Sequence, residues 1–66
     1  MSNFAYFQRP INEVSNQELI SFAIAFLNGA DYSNPDDVRE WEEFKAEVSN
    51  RDIEFQQNIA YLESVL

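Results

Sequence analysis

The chain has 66 residues and carries 12 acidic side chains against 4 basic ones, so its formal net charge is −8. It contains no Cys and no His, which excludes disulfides, thiolate nucleophiles and the commonest general base and transition-metal ligand. At this length the whole chain, 1–66, is expected to form one small domain. Its content of 45% hydrophobic and 15% aromatic residues is that of a folded protein and not of a disordered acidic tail.

Size, composition and charge also argue against several classes of function. Small folds seldom enclose a dry pocket around Tyr, Ser, Lys and carboxylates alone, so we expect no enzyme, no cofactor and no bound metal. The negative field repels phosphates and anionic lipids, so we expect no direct nucleic-acid or membrane partner. The longest mainly apolar run, Leu19 to Leu27, is about half of what a bilayer span requires. The first residues do not read as a signal peptide, and a cytoplasmic protein is the default expectation.

The first predicted element is an aromatic arm over residues 1–12. Phe4, Tyr6 and Phe7 stand close together before Pro10. A short helical turn and an extended arm are both compatible with this segment. In either conformation three neighbouring aromatic rings need apolar surface to cover them.

A helix follows the arm. Ser15 and Glu18 have the spacing of a capping box, in which each side chain bonds the backbone amide of the other. The box predicts a helix over residues 16–28, with Gly29 as the left-handed residue that ends it. Its apolar residues cover about 200° of the circumference, so this helix belongs to the core or to an interface: Leu19, Ile20, Phe22, Ala23, Ile24, Phe26 and Leu27.

The second helix is predicted over residues 35–48. Asn34 is a good cap, Pro35 suits the first helical position, and Asp36 and Asp37 lie at the positive end of the helix dipole. The apolar residues of this segment recur at helical spacing along one side: Val38, Trp41, Phe44 and Val48.

The remaining segment admits two interpretations. Ser49 and Asp52 repeat the capping pattern and predict a third helix over residues 50–66, or a bend. Alternatively a single unbroken helix runs from Pro35 to about Leu66, since no Gly or Pro interrupts an apolar pattern that stays in phase. Both give an all-α fold, a small bundle of two or three antiparallel helices with the aromatic arm packed across them.

A stripe of carboxylates is the first candidate binding feature. Asp36, Glu40, Glu43 and Glu47, here called the acidic stripe, fall within about 60° of one another on a helix. Glu54 joins them if the helix is unbroken. Successive carboxylates would stand roughly 5–6 Å apart, a spacing similar to that of phosphates along a nucleic-acid strand. Such like-charge neighbours destabilise a helix, which favours a function for the stripe. The alternative is a solvated face that only confers solubility.

An excess of aromatic residues is the second feature. The candidate anchors for a protein partner are Tyr6, Tyr32, Trp41 and Tyr61, because amphipathic rings favour partly wet interfaces. The alternative is that they cover a thin core and keep their polar ends in water.

Together these features predict a small acidic protein that binds and inhibits another protein. It would occupy the basic, nucleic-acid-binding surface of a host defence or transcription machine by imitating phosphates. This character is typical of phage-encoded inhibitors, an analogy of size and composition. The alternative is a homo-oligomeric structural or adaptor protein, and a homodimer would suit so small a core. That alternative uses an apolar C-terminal stripe of Phe55, Ile59, Leu62 and Leu66.

Overall fold

The computed structural model describes residues 4, 6–30 and 33–66. The prediction of an all-α fold is confirmed, since the described part of the chain contains helices and no strand. The described residues span 28 × 28 × 16 Å, a flattened body. A 3-10 turn over Ile11–Glu13 precedes three helices, α1 (Asn16–Gly29), α2 (Pro35–Val48) and α3 (Ile53–Val65).

The aromatic arm folds back on itself. The Phe4 amide donates to the Arg9 carbonyl at 2.9 Å, and the Gln8 amide donates to the Phe4 carbonyl at 2.7 Å. The Phe7 amide donates to the same carbonyl at 3.2 Å, so the described residues form a closed turn with the hydrogen-bond spacing of a single helical turn, and the extended arm considered from sequence is wrong. Phe4 is buried and meets Phe22 edge-on, with ring centroids 5.1 Å apart. This ring ties the turn to the core.

The capping box of α1 is present. The Glu18 amide donates to Ser15 Oγ at 3.2 Å, and the Glu18 carboxylate is bonded by the hydroxyl and the backbone of Ser15. The prediction for Gly29 was wrong, because this residue is the last of α1 and has no positive φ. The chain leaves the helix in an extended conformation at Ala30, whose amide donates to the Phe26 carbonyl at 2.8 Å. An exit of this kind needs no left-handed residue.

Helix α2 occupies the range predicted for it. The Asp36 amide donates to Asn34 Oδ1 at 2.9 Å, and Pro35 takes the first helical position. Phe44 and Val48 are buried in the core. The helix begins where its cap was expected because the cap depends only on adjacent residues.

A turn over residues 49–52 separates α2 from α3, so the single unbroken helix is wrong. The predicted start of the third helix was also wrong, since α3 begins at Ile53 and not at Asn50. The cap is Asp52, whose carboxylate accepts from the Phe55 amide at 3.1 Å. The second capping box does not form, because Ser49 is the C-cap of α2 in a helical conformation and its hydroxyl donates to the Ala46 carbonyl at 2.7 Å.

The core is built from apolar residues of all three helices, together with Phe4 and Val14. Phe22 lies at its centre, with its ring centroid 5.1 Å from that of Phe44 and 5.7 Å from that of Phe26. No polar or charged residue of the described chain is buried. The buried residues are Phe4, Val14, Leu19, Phe22, Ala23, Phe26, Phe44, Val48, Phe55 and Ile59.

Candidate partner-binding surface

The acidic stripe lies on the flank of α2, beside the core. Asp36 and Glu43 are exposed, whereas Glu40 and Glu47 are half-buried. A purely solvating face on the far side of the helix would have left all its members exposed. Because α2 ends at Val48, helical spacing does not carry the stripe on to Glu54, which is exposed on α3.

Glu47 holds an arginine in place. Its side chain is only 11% exposed, and its carboxylate accepts from Arg51 Nε at 2.7 Å. The Arg51 guanidinium also donates to Asn16 Oδ1 at 2.7 Å and to the carbonyls of Val14 at 2.8 Å and Ile11 at 3.2 Å. This member of the stripe therefore has a structural role. Sequence reasoning missed Arg51, although its i,i+4 spacing from Glu47 was a signal.

The other stripe members remain available to a partner. Asp36 accepts from Arg39 at 2.5 Å in an exposed pair that a partner could displace. Desolvation raises the pKa of Glu40, and the charges of Asp37 and Glu43 raise it further. The carboxylates of this flank thus repel one another, and a cation brought beside them would relieve that repulsion.

All four cationic side chains of the protein are engaged within the chain. Each one forms an ion pair with a carboxylate, and the chain has eight more acidic than basic side chains. Helix α2 alone carries six carboxylates against two cations. The pairs are Arg9–Glu18, Arg39–Asp36, Lys45–Glu63 and Arg51–Glu47.

The predicted aromatic anchors differ in their surroundings. Trp41 is half-buried and stacks on Phe26 and Phe44, with centroid separations of 4.6 and 4.9 Å. Tyr61 is 66% exposed on α3. Tyr32 lies outside the described residues. Trp41 therefore contributes to the core as well as to the surface, while Tyr61 contributes to the surface alone.

A groove crosses the surface between the N-terminal turn, α1 and α2. Its volume is about 220 Å³, and it brings Glu40 of the acidic stripe next to exposed aromatic surface. Nothing in the sequence pattern predicted it, because its walls come from three separate segments. The lining residues are Tyr6, Phe22, Ala25, Phe26, Gly29, Ala30, Asp37 and Glu40.

Within residues 4, 6–30 and 33–66 there is no cluster of three or more His, Cys, Asp or Glu side chains placed to hold a metal ion. The helices of the same residues are too short and too polar to cross a bilayer. Comparison with protein-family models, curated proteins and solved structures finds no match to this chain.

Proposed function

We propose that this chain is a small acidic inhibitor that binds a basic, nucleic-acid-binding surface of a protein in the cytoplasm. The proposal is supported by the distribution of charged side chains in the structure. Every Lys and Arg side chain is paired with a carboxylate of the chain, while α2 keeps an excess of carboxylates on an accessible flank. Surfaces that only need to be soluble usually intersperse charges of both signs, and α2 departs from that pattern.

The mode of action is competition for Lys and Arg residues. Asp36, Glu40 and Glu43 take the place of phosphates on the target, and their mutual repulsion is relieved by the target's cations. The exposed ring of Tyr61 and the outer edge of Trp41 supply contact area that is desolvated on binding. A host defence or transcription protein, as expected for a phage-encoded inhibitor, is the class of target with such a surface.

The experiment compares two double variants of equal charge. Asp36→Asn with Glu43→Gln removes two carboxylates from α2, and Glu13→Gln with Glu54→Gln removes two exposed carboxylates elsewhere. Glu47 is left intact because it holds Arg51. Each protein is immobilised, and proteins of a host lysate are retained on it and eluted with salt or with duplex DNA.

The α2 variant should bind the retained protein about tenfold more weakly and with a flatter dependence on salt. The control variant should behave like the wild type, and duplex DNA should elute the retained protein. Equal retention by the two double variants would show that the stripe only confers solubility, and elution by salt but not by DNA would contradict competition with nucleic acid.

Homo-oligomerisation is the second candidate function, but not through the surface that the sequence suggested. Phe55 and Ile59 are buried in the core, and Leu62 packs against it. Of the predicted apolar C-terminal stripe only Leu66 is exposed. Most of that stripe is therefore packed in the core of the single chain and is not available for association.

A different face of α3 favours association. Ile53, Tyr61 and Val65 are more than half exposed and lie within about 120° of one another on the helix. Light scattering at low and high salt tests this candidate, because salt screens the repulsion between two copies of charge −8. A dimer that appears with salt and is lost in Tyr61→Glu, but not in Gln17→Glu on α1, would support it. A monomer under both conditions would reject it.

A further inference from the structure

The groove between the N-terminal turn, α1 and α2 has an aromatic floor. Phe22 and Phe26 are buried beneath it, and Tyr6, which is 54% exposed, packs edge-on against Phe22 at 5.0 Å. The α1 wall consists of small residues. A Cβ added at Gly29 would meet no atom within 4 Å, and Ala25 is exposed. The groove is therefore open space bordered by apolar surface.

The opposite wall is negatively charged. Asp37 and Glu40 line it from α2, and none of the described lining residues is cationic. Glu40 is partly desolvated, which raises its pKa, and the neighbouring charges of Asp37 and Glu43 act in the same direction. An apolar occupant would desolvate these carboxylates further without compensation. A phosphate or carboxylate occupant would be repelled, so the charge of the wall selects a cation.

We propose that this groove receives an arginine side chain of the protein partner. The aliphatic stem of arginine would lie against the apolar border of the groove, while its planar guanidinium stacks on the exposed ring of Tyr6 and bonds Glu40. A forked guanidinium can pair with carboxylate oxygens as a bidentate donor, which a lysine ammonium cannot. The inference rests on the proposed function, since the arginine belongs to the basic surface that the chain would occupy.

The test uses a small probe and needs no partner. N-acetyl-arginine-methylamide is titrated into the 15N-labelled protein, and N-acetyl-norleucine-methylamide is the apolar counterpart. The arginine compound should shift the amide signals of Ala25 and Gly29 in a saturable manner, and the norleucine compound should not. Glu40→Gln should weaken the arginine response about fivefold, whereas Glu54→Gln on α3 should leave it unchanged.

A steric variant distinguishes binding of the probe in the groove from general attraction of a cation to an acidic protein. Ala25→Leu fills the groove, keeps every charge and retains a strong helix former at an exposed position. It should abolish the saturable response, while Ala46→Leu, the same change at an exposed position of α2, should not. Circular dichroism verifies that both variants are folded.

Three results would overturn the inference. One is an arginine response that survives Ala25→Leu. Another is a response spread equally over the exposed acidic residues, which would be diffuse counterion attraction. A third is a norleucine response as strong as that of arginine, which would assign the groove to an apolar side chain.

Failure of the inference about the groove can be distinguished from failure of the proposed function. If Ala25→Leu abolishes the probe response but leaves capture of the lysate protein unaffected, the target does not place an arginine here, and the groove inference fails alone. If the α2 double variant captures as well as the wild type, the proposed function fails whatever the probe does.

Discussion

The guanidinium of Arg51 donates to the carbonyl of Val14 at 2.8 Å, across 37 positions of the chain. This bond joins the turn between α2 and α3 to the residue that precedes the cap of α1. Val14 itself is buried, and Glu47 holds the guanidinium from the other side. The Arg51 side chain thus links the start of α1 to the turn between α2 and α3.

We expect Arg51→Gln to lower the free energy of unfolding by about 3 kcal/mol, because it leaves the largely buried Glu47 carboxylate and the Val14 carbonyl without the guanidinium that bonds them. Urea unfolding measures the change. Arg39→Gln is the matched control, since Arg39 pairs with Asp36 in an exposed position. Its effect should stay within about 0.5 kcal/mol, and equal losses in the two variants would contradict the role given to Arg51.

Ser15→Ala should destabilise the protein by about 1 kcal/mol, the usual cost of losing a helix N-cap. The control is Ser49→Ala, because Ser49 has the same local pattern in sequence but does not cap α3. Its unfolding midpoint should lie close to that of the wild type. A larger loss at Ser49 than at Ser15 would mean that the caps are assigned to the wrong serine.

The stability of two glutamate variants should depend on pH with opposite signs. The Ser15 hydroxyl, more than the Ser15 amide or Arg9, holds the pKa of Glu18 below its ordinary value of 4.5. A lowered pKa stabilises the fold above that value, and this contribution is lost as the pH falls through the folded-state pKa. Glu18→Gln should therefore melt below the wild type at neutral pH and converge with it in acid.

The contribution of Glu40 to stability depends on pH in the opposite sense. Desolvation, with Asp37 and Glu43, raises its pKa above 4.5, so its contribution to stability is present below that value and is lost as the pH rises through the folded-state pKa. Glu40→Gln should melt above the wild type at neutral pH, and the gain should vanish in acid. Thermal melts at several pH values measure both variants, and equal signs would contradict the assignment.

Trp41→Ala should cost about 3 kcal/mol of stability, because it removes a ring that stacks on Phe26 and Phe44. Tyr61→Ala should change stability by no more than about 0.5 kcal/mol, since Tyr61 is mostly exposed. Unfolding in urea compares them. A negligible loss at Trp41 would show that its stacking does not support the core; Trp41→Phe, which keeps a ring, is the variant suited to binding studies.

Much of the fold follows from the sequence alone. The caps of α1 and α2 at Ser15 and Asn34 depend on residues two or three positions away, and the structure places both as predicted. Helical spacing also identified the buried side of α2 at Phe44 and Val48. Short-range hydrogen bonds and a regular apolar period are properties of the local chain, so a sequence determines them without knowledge of the fold.

Tertiary structure decided the rest. In the turn before Ile53, Arg51 pairs with Glu47, and its other acceptors lie 35 to 40 positions away in the chain. The groove likewise needs the N-terminal turn, α1 and α2 to meet, and no period within one segment encodes that meeting. Local patterns could propose a cap at Ser49 as readily as at Ser15; only packing between distant segments distinguishes the two, because it settles which donors and acceptors are already engaged.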